Sequence, residues 1–228
     1  MELLSFDPSR RILEPEVLDT GPAGAGIAVM RDLVRMNRWF GGRRVLPALL
    51  REFTSPVESF TLLDAGAGSG DVGDSVLKHF PHAWVVSLDL RPDYLRLARP
   101  PRVAADVFRP PFRDCSFDYV ACSLFLHHFP DDSVQDILKR LYRLARRALI
   151  AVDLDRRRLP HLFIPATRPL FRWDRASVHD SQVSVQAGFR ASEIAALARG
   201  AGISRFVVRK HRPWFRLSLC APVNSGHP

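Results

Sequence analysis

The stretch that decides the fold class is Leu62-Leu63-Asp64-Ala65-Gly66-Ala67-Gly68-Ser69-Gly70-Asp71. Apolar residues run into an acidic residue and then into alternating glycines, and helical periodicity follows. Glycine is favoured where a backbone turns sharply or where a ligand lies directly against it, and the free N–H groups of a following helix favour polar ligand groups. The stretch therefore predicts a strand, a ligand-binding loop and a helix.

Short apolar strands and helices alternate on the carboxyl-terminal side of this stretch. This alternation predicts a Rossmann-like, doubly wound and mostly parallel sheet of seven strands, with helices on both faces. Two helices separated by Gly41-Gly42 are expected before the first strand. The predicted strands lie at 60–63, 83–88, 103–105, 117–123, 148–152, 204–210 and 215–220, and helices are predicted at 71–80, 92–97, from Pro130 to Leu144, and at 191–199.

We expect one domain that spans residues 1–228. Within it we expect an N-terminal helical cap, a ligand-binding core, an insertion on the substrate side after the fifth strand, and a closing helix with two strands. The insertion lacks clear periodicity and is expected to be irregular, with aromatic residues that suit either a hydrophobic acceptor or a small core of its own. These segments are 1–55, 60–153, 154–187 and 188–228.

The composition is that of an ordinary globular protein, with 46% hydrophobic and 25% charged residues. The formal net charge of +9 raises the question of a nucleic-acid partner, because clustered cations bind polyanions by releasing counterions. The arginines, however, are scattered and form no basic tail. A small-molecule substrate is therefore favoured over RNA or DNA, which stays an alternative.

Three cysteines without CxxC spacing indicate neither a disulfide framework nor a zinc site, and no metal site is expected. The first residues lack a basic stretch followed by an apolar core, and no apolar run is long enough to cross a bilayer. We therefore expect a cytoplasmic protein without a membrane span. The sequence does not indicate an oligomeric state.

Acidic residues follow the next two predicted strands. Asp89 lies where the second strand ends, and Asp106-Val107 follows the third. In an open parallel sheet these positions share one edge, where a carboxylate can accept the hydroxyls of a ribose. Capping of the next helix is the alternative role for Asp89. Gly68, Gly70 and Gly73 also match a dinucleotide fingerprint, but Asp64 beside the glycines suits a cationic ligand better than a pyrophosphate.

Two further segments complete the pattern, namely Pro110-Pro111-Phe112-Arg113-Asp114-Cys115-Ser116-Phe117-Asp118-Tyr119-Val120 and Ser123-Leu124-Phe125-Leu126-His127-His128-Phe129. In order and spacing, the motifs resemble those of class I S-adenosylmethionine (SAM)-dependent methyltransferases over about residues 61–203. The resemblance implies SAM as the cofactor. It implies cofactor contacts from Arg38, Asp64, Ala65, Gly66, Gly68, Gly70, Asp89, Leu90, Asp106, Val107, Ser123 and Leu124.

A narrower resemblance rests on Met36-Asn37-Arg38-Trp39-Phe40-Gly41-Gly42 and on the paired histidines. Together they look like the ubiquinone/menaquinone-biosynthesis branch and are similar to small-molecule methyltransferases associated with polyketide synthases. By that analogy the N-terminal helices close over the methionine end of SAM, with Asn37 and Arg38 near its carboxylate. The alternative is a helix pair that packs on the sheet with Arg38 in solvent.

Methyl transfer to a hydroxyl or an activated carbon also requires a base. His127 and His128 are the first candidates because they follow the fourth strand, and Asp153 after the fifth strand could orient one of them. Pairing with nearby arginines is the alternative role of Asp153. No Asn-Pro-Pro-Tyr type of motif follows the fourth strand, which favours O- or C-methylation. We therefore expect a small hydrophobic acceptor; RNA methylation and SAM binding without turnover are the alternatives.

Overall fold

The computed structural model describes residues 4, 6–16, 26–39 and 41–223. Within these residues, one sheet is flanked by helices. The strands are β1 (Thr61–Ala65), β2 (Trp84–Asp89), β3 (Arg102–Ala104), β4 (Phe117–Ser123), β5 (Ala145–Leu154), β6 (Val207–His211) and β7 (Arg216–Pro222). The helices are α1 (Gly26–Trp39), α2 (Gly42–Leu50), α3 (Asp71–His79), α4 (Pro92–Leu95), α5 (Asp131–Leu144), α6 (Arg158–Phe171), α7 (Arg175–Ala187) and α8 (Ala191–Gly200), with a short 3₁₀ helix, η1 (Leu126–His128).

The sheet has the strand order β3-β2-β1-β4-β5-β7-β6. Strand β7 runs antiparallel to β5 and β6, and the other neighbouring pairs are parallel. The predicted doubly wound, seven-stranded sheet is confirmed. The order reverses between β1 and β4, which is where open α/β sheets bind ligands. Ala65 is in register with Leu88 and Cys122, so the loops after these three strands leave the sheet at one edge.

Each face of the sheet buries its own apolar cluster. Helices α5 and α8 cover one face, where Leu138 and Leu141 are fully buried, and α2 and α3 cover the other, where Leu50 and Val76 are fully buried. Burial of this kind stabilises by about 25 cal/mol per Å² of apolar surface. The core therefore holds the strand ends in fixed positions. None of the described helices is both long and apolar enough to cross a bilayer.

The segment 154–187 corrects one prediction. It was expected to be irregular, but it forms α6 and α7, which pack against each other. Pro165 and Pro169 lie inside α6. A proline gives up one helical hydrogen bond and normally ends a helix, which is why the sequence pattern indicated no helix there. Packing against a neighbouring helix offsets that loss.

Helix α7 was missed for a different reason, because it buries polar as well as apolar side chains. Gln182 Nε2 lies 3.2 Å from His161 Nε2, and Gln186 Nε2 donates to the carbonyl of Asp7 at 2.7 Å. Buried polar groups with partners are tolerated in a core. They remove the apolar stripe that sequence periodicity relies on.

Most element boundaries agree with the predictions within a few residues. Strand β5 is the largest exception, since it begins at Ala145 rather than at 148 and ends at Leu154. Arg146 and Arg147 interrupt the apolar run there, but both belong to the strand. The Arg147 side chain forms an ion pair with Glu58 at 2.5 Å. The longer strand places Asp153 inside β5 rather than after it.

Candidate functional site

The glycine loop after β1 is shaped by its contact with the segment after β4. Gly66 has a φ of 70°, and a Cβ atom there would lie 2.1 Å from the Phe125 ring. Only glycine permits both this conformation and this approach. The N–H of Gly68 donates to Asp89 Oδ2 at 2.7 Å, so the loop is tied to the end of β2. Gly70, also at positive φ, is the N-cap of α3.

A cavity of about 510 Å³ lies at the ends of β1, β2 and β4. Most of the residues predicted to bind the cofactor line it: Asp64, Gly66, Gly68, Asp89, Leu90, Asp106, Val107, Ser123 and Leu124. Ala65 and Gly70 shape the backbone behind this cavity and do not line it. Asn37, expected near the SAM carboxylate, and His128, expected as a base, line it as well. Further lining residues were not predicted: Met30, Leu33, Ala67, Ser69, Asp71, Val72, Leu88, Arg91, Tyr94, Ala105, Phe108, Phe125 and Phe129.

One end of this cavity combines carboxylates with aromatic rings. Asp89 Oδ1 accepts the N–H of Arg91 at 2.8 Å, and Asp106 Oδ1 accepts the N–H of Phe108 at 2.9 Å. Because each ionised carboxylate offers about four acceptor positions, both retain capacity toward the cavity. Asp89 is not the cap of the next helix: Arg91 is the N-cap of α4, and no side chain forms a capping hydrogen bond there among the described residues. Tyr94 forms part of the wall beside them.

The other end holds two buried acceptors. Among the described residues, nothing donates a hydrogen bond to Asp64 Oδ2 or Asn37 Oδ1, although the Asn37 amide donates to Asp71 Oδ2 at 3.3 Å. Burial and the neighbouring charge of Asp71 raise the pKa of Asp64 to about 7. A buried carboxylate without a cation is costly. A cationic amino group here would give both oxygens a donor.

The two predicted residues of the α1 segment have different positions. Asn37 is buried and lines the cavity, whereas the Arg38 side chain is exposed and does not line it. Neighbouring residues of a helix point about 100° apart, so one of them faces the sheet and the other faces solvent. The placement thus favours the alternative for Arg38, a solvated side chain. Phe40, in the same motif, is outside the described residues.

A second cavity of about 360 Å³ adjoins the first. Leu33, Leu124 and His128 line both cavities. Its other walls are mainly apolar side chains from α1, α6, α7 and the segment before β7, with several buried polar groups among them. They are Glu16, Val29, Met36, His127, Leu154, Pro160, Phe163, Ile164, Ser177, Asp180, Ser181, Ser184, Val185, Pro213, Trp214, Phe215 and Arg216.

The insertion contributes to this second cavity in part. Phe163 and Asp180 line it, whereas Phe171 and Trp173 stack at 5.2 Å in a small core of their own. Asp180 is buried, while the side chain of its neighbour His179 is about half exposed. The segment therefore has aromatic residues in both expected positions: on a cavity wall and in a small core of its own.

His127 is held between two buried carboxylates. Its Nδ1 lies 2.7 Å from Asp153 Oδ1, and its Nε2 lies 3.7 Å from Glu16 Oε1. Burial by itself lowers the pKa of His127, but the charges and hydrogen bonds of Asp153 and Glu16 raise the pKa to about 10. The ring is accordingly an imidazolium at neutral pH. The predicted orienting role of Asp153 agrees with this contact.

Asp153 also organises the segment after β4. Its Oδ2 lies within hydrogen-bond distance of the backbone N–H groups of Leu126, at 2.9 Å, and of Phe125 and His127, both at 3.3 Å. These N–H groups form the start of η1, where an acceptor is favoured. Leu124, just before them, adopts a φ of 52°. The carboxylate thereby fixes the turn that places His128 between the cavities.

Glu16 is the residue that sequence reasoning missed most clearly. The residues that directly follow Glu16 are outside the described part of the chain. Residues 6–16 are held in place by Arg11, which donates to the carbonyl of Phe129 at 2.9 Å and forms an ion pair with Asp131. Ser184 on α7 donates to Glu16 Oε1 at 2.6 Å. No motif surrounds Glu16 in the sequence, so nothing marked it as part of a site.

Glu16, His127 and His128 offer one ligand atom each within 4.8 Å of one another. Two histidines and one carboxylate form a ligand set that zinc or iron can use. The sequence predicted no metal, and that stays a prediction. A metal at this position would have to displace the proton of His127, because the imidazolium has no lone pair to offer.

Comparison with known proteins shows which sequence family and which folds this chain is similar to. Residues 62–148 match the family described as "Methyltransferase domain". No protein with a curated description matches the chain. Solved structures resemble it at low identity, so they bear on the fold alone.

Three of these solved structures are methyltransferases from different organisms. A putative O-methyltransferase from Nostoc punctiforme has a TM-score of 0.64 and 17% identity, with 91% of this chain and 63% of that chain covered. Magnesium protoporphyrin IX methyltransferase from Synechocystis with bound S-adenosylhomocysteine has a TM-score of 0.62 and 17% identity, covering 89% and 96%. Human N-acetylserotonin methyltransferase with SAM has a TM-score of 0.62 and 17% identity, with 92% of this chain and 62% of that chain covered. This chain thus spans less than two thirds of the length of the Nostoc and human proteins.

The doubly wound fold expected from the sequence is confirmed, and residues 62–148 within it match a methyltransferase domain. The residues present also fit SAM, since its amino group would supply the missing donor to Asp64 Oδ2 and Asn37 Oδ1. Neither the acceptor nor the narrower branch is identified by these comparisons.

The raised pKa of Asp64 gives a testable pH dependence. Only the carboxylate form pairs with a cationic amino group, and the carboxylate fraction grows as the pH rises through about 7. We therefore expect the affinity for S-adenosylhomocysteine to rise about tenfold between roughly pH 6 and pH 8. Titration calorimetry should show this slope in the wild type and in Asp74→Asn, which changes a partly exposed carboxylate of α3 that pairs with Arg99. Asp64→Asn should show a flat, weaker profile. A flat wild-type profile would contradict the assignment.

Proposed function

We propose that this protein transfers the methyl group of SAM to an oxygen or carbon atom of a small, largely apolar acceptor. One observation carries the proposal: the cavity at the ends of β1, β2 and β4 meets a second, mainly apolar cavity at Leu33, Leu124 and His128. Transfer in line requires two ligands that meet end to end in a space from which water is excluded. Two adjoining cavities with shared walls provide that space.

The first cavity would hold SAM, which supplies a methyl group activated by a sulfonium. Asp64 and Asn37 would receive its amino group, because each has a buried oxygen to which no described residue donates. Asp89 would accept the ribose hydroxyls, and Asp106 the adenine amino group. In this assignment the chain's own task is to bind and orient, and the apolar walls exclude water.

His128 is the proposed base. It lines both cavities and is only partly buried, so an acceptor hydroxyl in the second cavity could reach it. His127 is less suited, because an imidazolium held by two carboxylates has no free lone pair. We assign His127 and Asp153 to positioning of the segment that carries His128. This divides the roles among the three residues predicted from the sequence.

The proposed acceptor is an aromatic, polyketide-derived or quinone-like molecule. The second cavity has apolar walls that include Phe163, Trp214 and Phe215, and its volume of about 360 Å³ suits a compact ring system. The narrower resemblance to quinone- and polyketide-associated methyltransferases supports the same class. The plantazolicin methyltransferase, a structural neighbour at 13% identity with a TM-score of 0.65, bears on the fold only.

A labelled-methyl assay tests the proposal. The protein would be incubated with labelled SAM and, in separate reactions, with phenols, reduced quinones, polyketide pyrones, tRNA and rRNA. We expect label in at least one small aromatic product and none in RNA. Label only in RNA would overturn the proposal in favour of an RNA methyltransferase. Binding of S-adenosylhomocysteine with no labelled product from any acceptor would indicate a SAM-binding protein without turnover.

A further inference from the structure

Arg216 occupies an unusual position at the start of β7. Its side chain lines the second cavity and is only 9% exposed. Its Nε has no hydrogen-bond partner, and its Nη1 donates to the carbonyl of Trp214 at 3.3 Å. Within the described residues, no carboxylate lies within the 4.0 Å of an ion pair. From the part of the chain that the structure describes, this guanidinium with five donors therefore makes one long hydrogen bond and no ion pair.

Another buried arginine shows what a satisfied guanidinium looks like in this protein. Arg156 is 2% exposed, forms an ion pair with Glu193 and donates to the carbonyl of Gly188 at 2.6 Å. Removal of a charge from water is unfavourable unless a counter-charge and hydrogen bonds replace the lost hydration. Arg156 has those replacements, whereas Arg216 has almost none. Of these two arginines, Arg216 lines the second cavity and Arg156 does not.

The nearby carboxylates are already engaged. Asp153, on the neighbouring strand β5, stabilises the positive charge of Arg216, but it is hydrogen-bonded to His127 and to backbone N–H groups. Glu16 accepts from Ser184 at 2.6 Å and lies beside His127. Asp180, on the same cavity wall, lies 3.4 Å from His179. An additional anion is thus the partner that the Arg216 donors lack.

We propose that Arg216 binds a carboxylate group of the methyl acceptor. The inference rests on the proposed function and narrows it: the acceptor is an aromatic or similarly apolar acid whose charged end meets Arg216. The planar guanidinium presents a fork of donors that matches a carboxylate. The apolar walls of the cavity hold the ring.

Matched acid and amide probes test this subsite. The protein is first saturated with S-adenosylhomocysteine, and binding of salicylate and salicylamide, and of hydroxynaphthoate and its carboxamide, is then measured by calorimetry. We expect at least one acid to bind about 10- to 100-fold more tightly than its amide, as for a charge-assisted hydrogen-bond pair. The preference should vanish in Arg216→Gln and persist in Arg209→Gln, which changes a half-exposed arginine paired with Glu52.

Two outcomes would overturn the inference. One is that no acid binds more tightly than its amide, and the other is that the preference survives in Arg216→Gln. Failure of the wild type to bind S-adenosylhomocysteine would instead refute the proposed function, so the two failures are distinguishable.

Thermal unfolding without ligand tests whether Arg216 serves ligand binding or the stability of the fold. We expect the melting temperature of Arg216→Met to equal or exceed that of the wild type, because an uncompensated buried charge is removed. Arg156→Met, which breaks a buried ion pair, should lower it by roughly 5–15 °C. A comparable fall in both variants would show that Arg216 serves the fold, and would contradict the inference.

Discussion

Replacement of His128 by glutamine should lower kcat about 10²- to 10⁴-fold, the usual contribution of a general base. The side chain lies where the two cavities meet, so it is placed to accept a proton from an acceptor hydroxyl. Glutamine keeps a similar size and hydrogen-bonding capacity but cannot take up that proton. The dissociation constant of S-adenosylhomocysteine should change less than about threefold, because the base does not hold the cofactor. Steady-state kinetics and calorimetry give both numbers.

His82→Gln is the matched control, because His82 is exposed on the turn before β2. It should leave kcat unchanged. If His128→Gln retained wild-type kcat with an acceptor that must lose a proton, the base assignment would be wrong. A loss of kcat that disappears at high pH, where the acceptor ionises by itself, would support it.

Residues at strand ends could be predicted from the sequence because their positions follow from topology. Asp64, Asp89 and Asp106 each end or follow a short apolar strand, and parallel strands that alternate with helices bring such ends to one edge. All three line the first cavity. The local sequence pattern was sufficient to predict these residues, because each strand places its own site residue at the same edge of the sheet.

Residues whose role depends on distant packing could not be predicted in this way. Glu16 reaches His127 across more than a hundred positions of sequence, and Arg216 enters the cavity from the far end of the chain. Neither is surrounded by a motif. The choice between Asn37 and Arg38 depended on the rotation of one helix about its axis, which a local apolar pattern fixes only coarsely.

Replacement of Asp153 by asparagine is the second change with a large expected effect. Asp153 and His127 are both buried and lie 2.7 Å apart. Removal of one charge from a buried pair typically costs about 3–5 kcal/mol. His127 would lose its closer counter-charge and keep Glu16 at 3.7 Å, so we expect a cost near the lower end of that range, about 3 kcal/mol. We therefore expect the melting temperature to fall by roughly 10 °C at neutral pH. Asp114→Asn, which removes an exposed ion pair with Arg143, should change stability by no more than about 1 kcal/mol.

The pH dependence of this loss identifies its cause. The pKa of His127 is raised to about 10 in the folded protein, so its contribution to stability is complete below its ordinary value and is lost as the pH rises through about 10. The pKa of Asp153 is lowered, in spite of burial, by His127 and by backbone hydrogen bonds, so its contribution is lost in acid. The stability difference between the wild type and Asp153→Asn should therefore be largest near neutral pH and shrink above about pH 10. A difference that stays constant to pH 11 would mean that the carboxylate acts through its backbone hydrogen bonds to η1 rather than through His127.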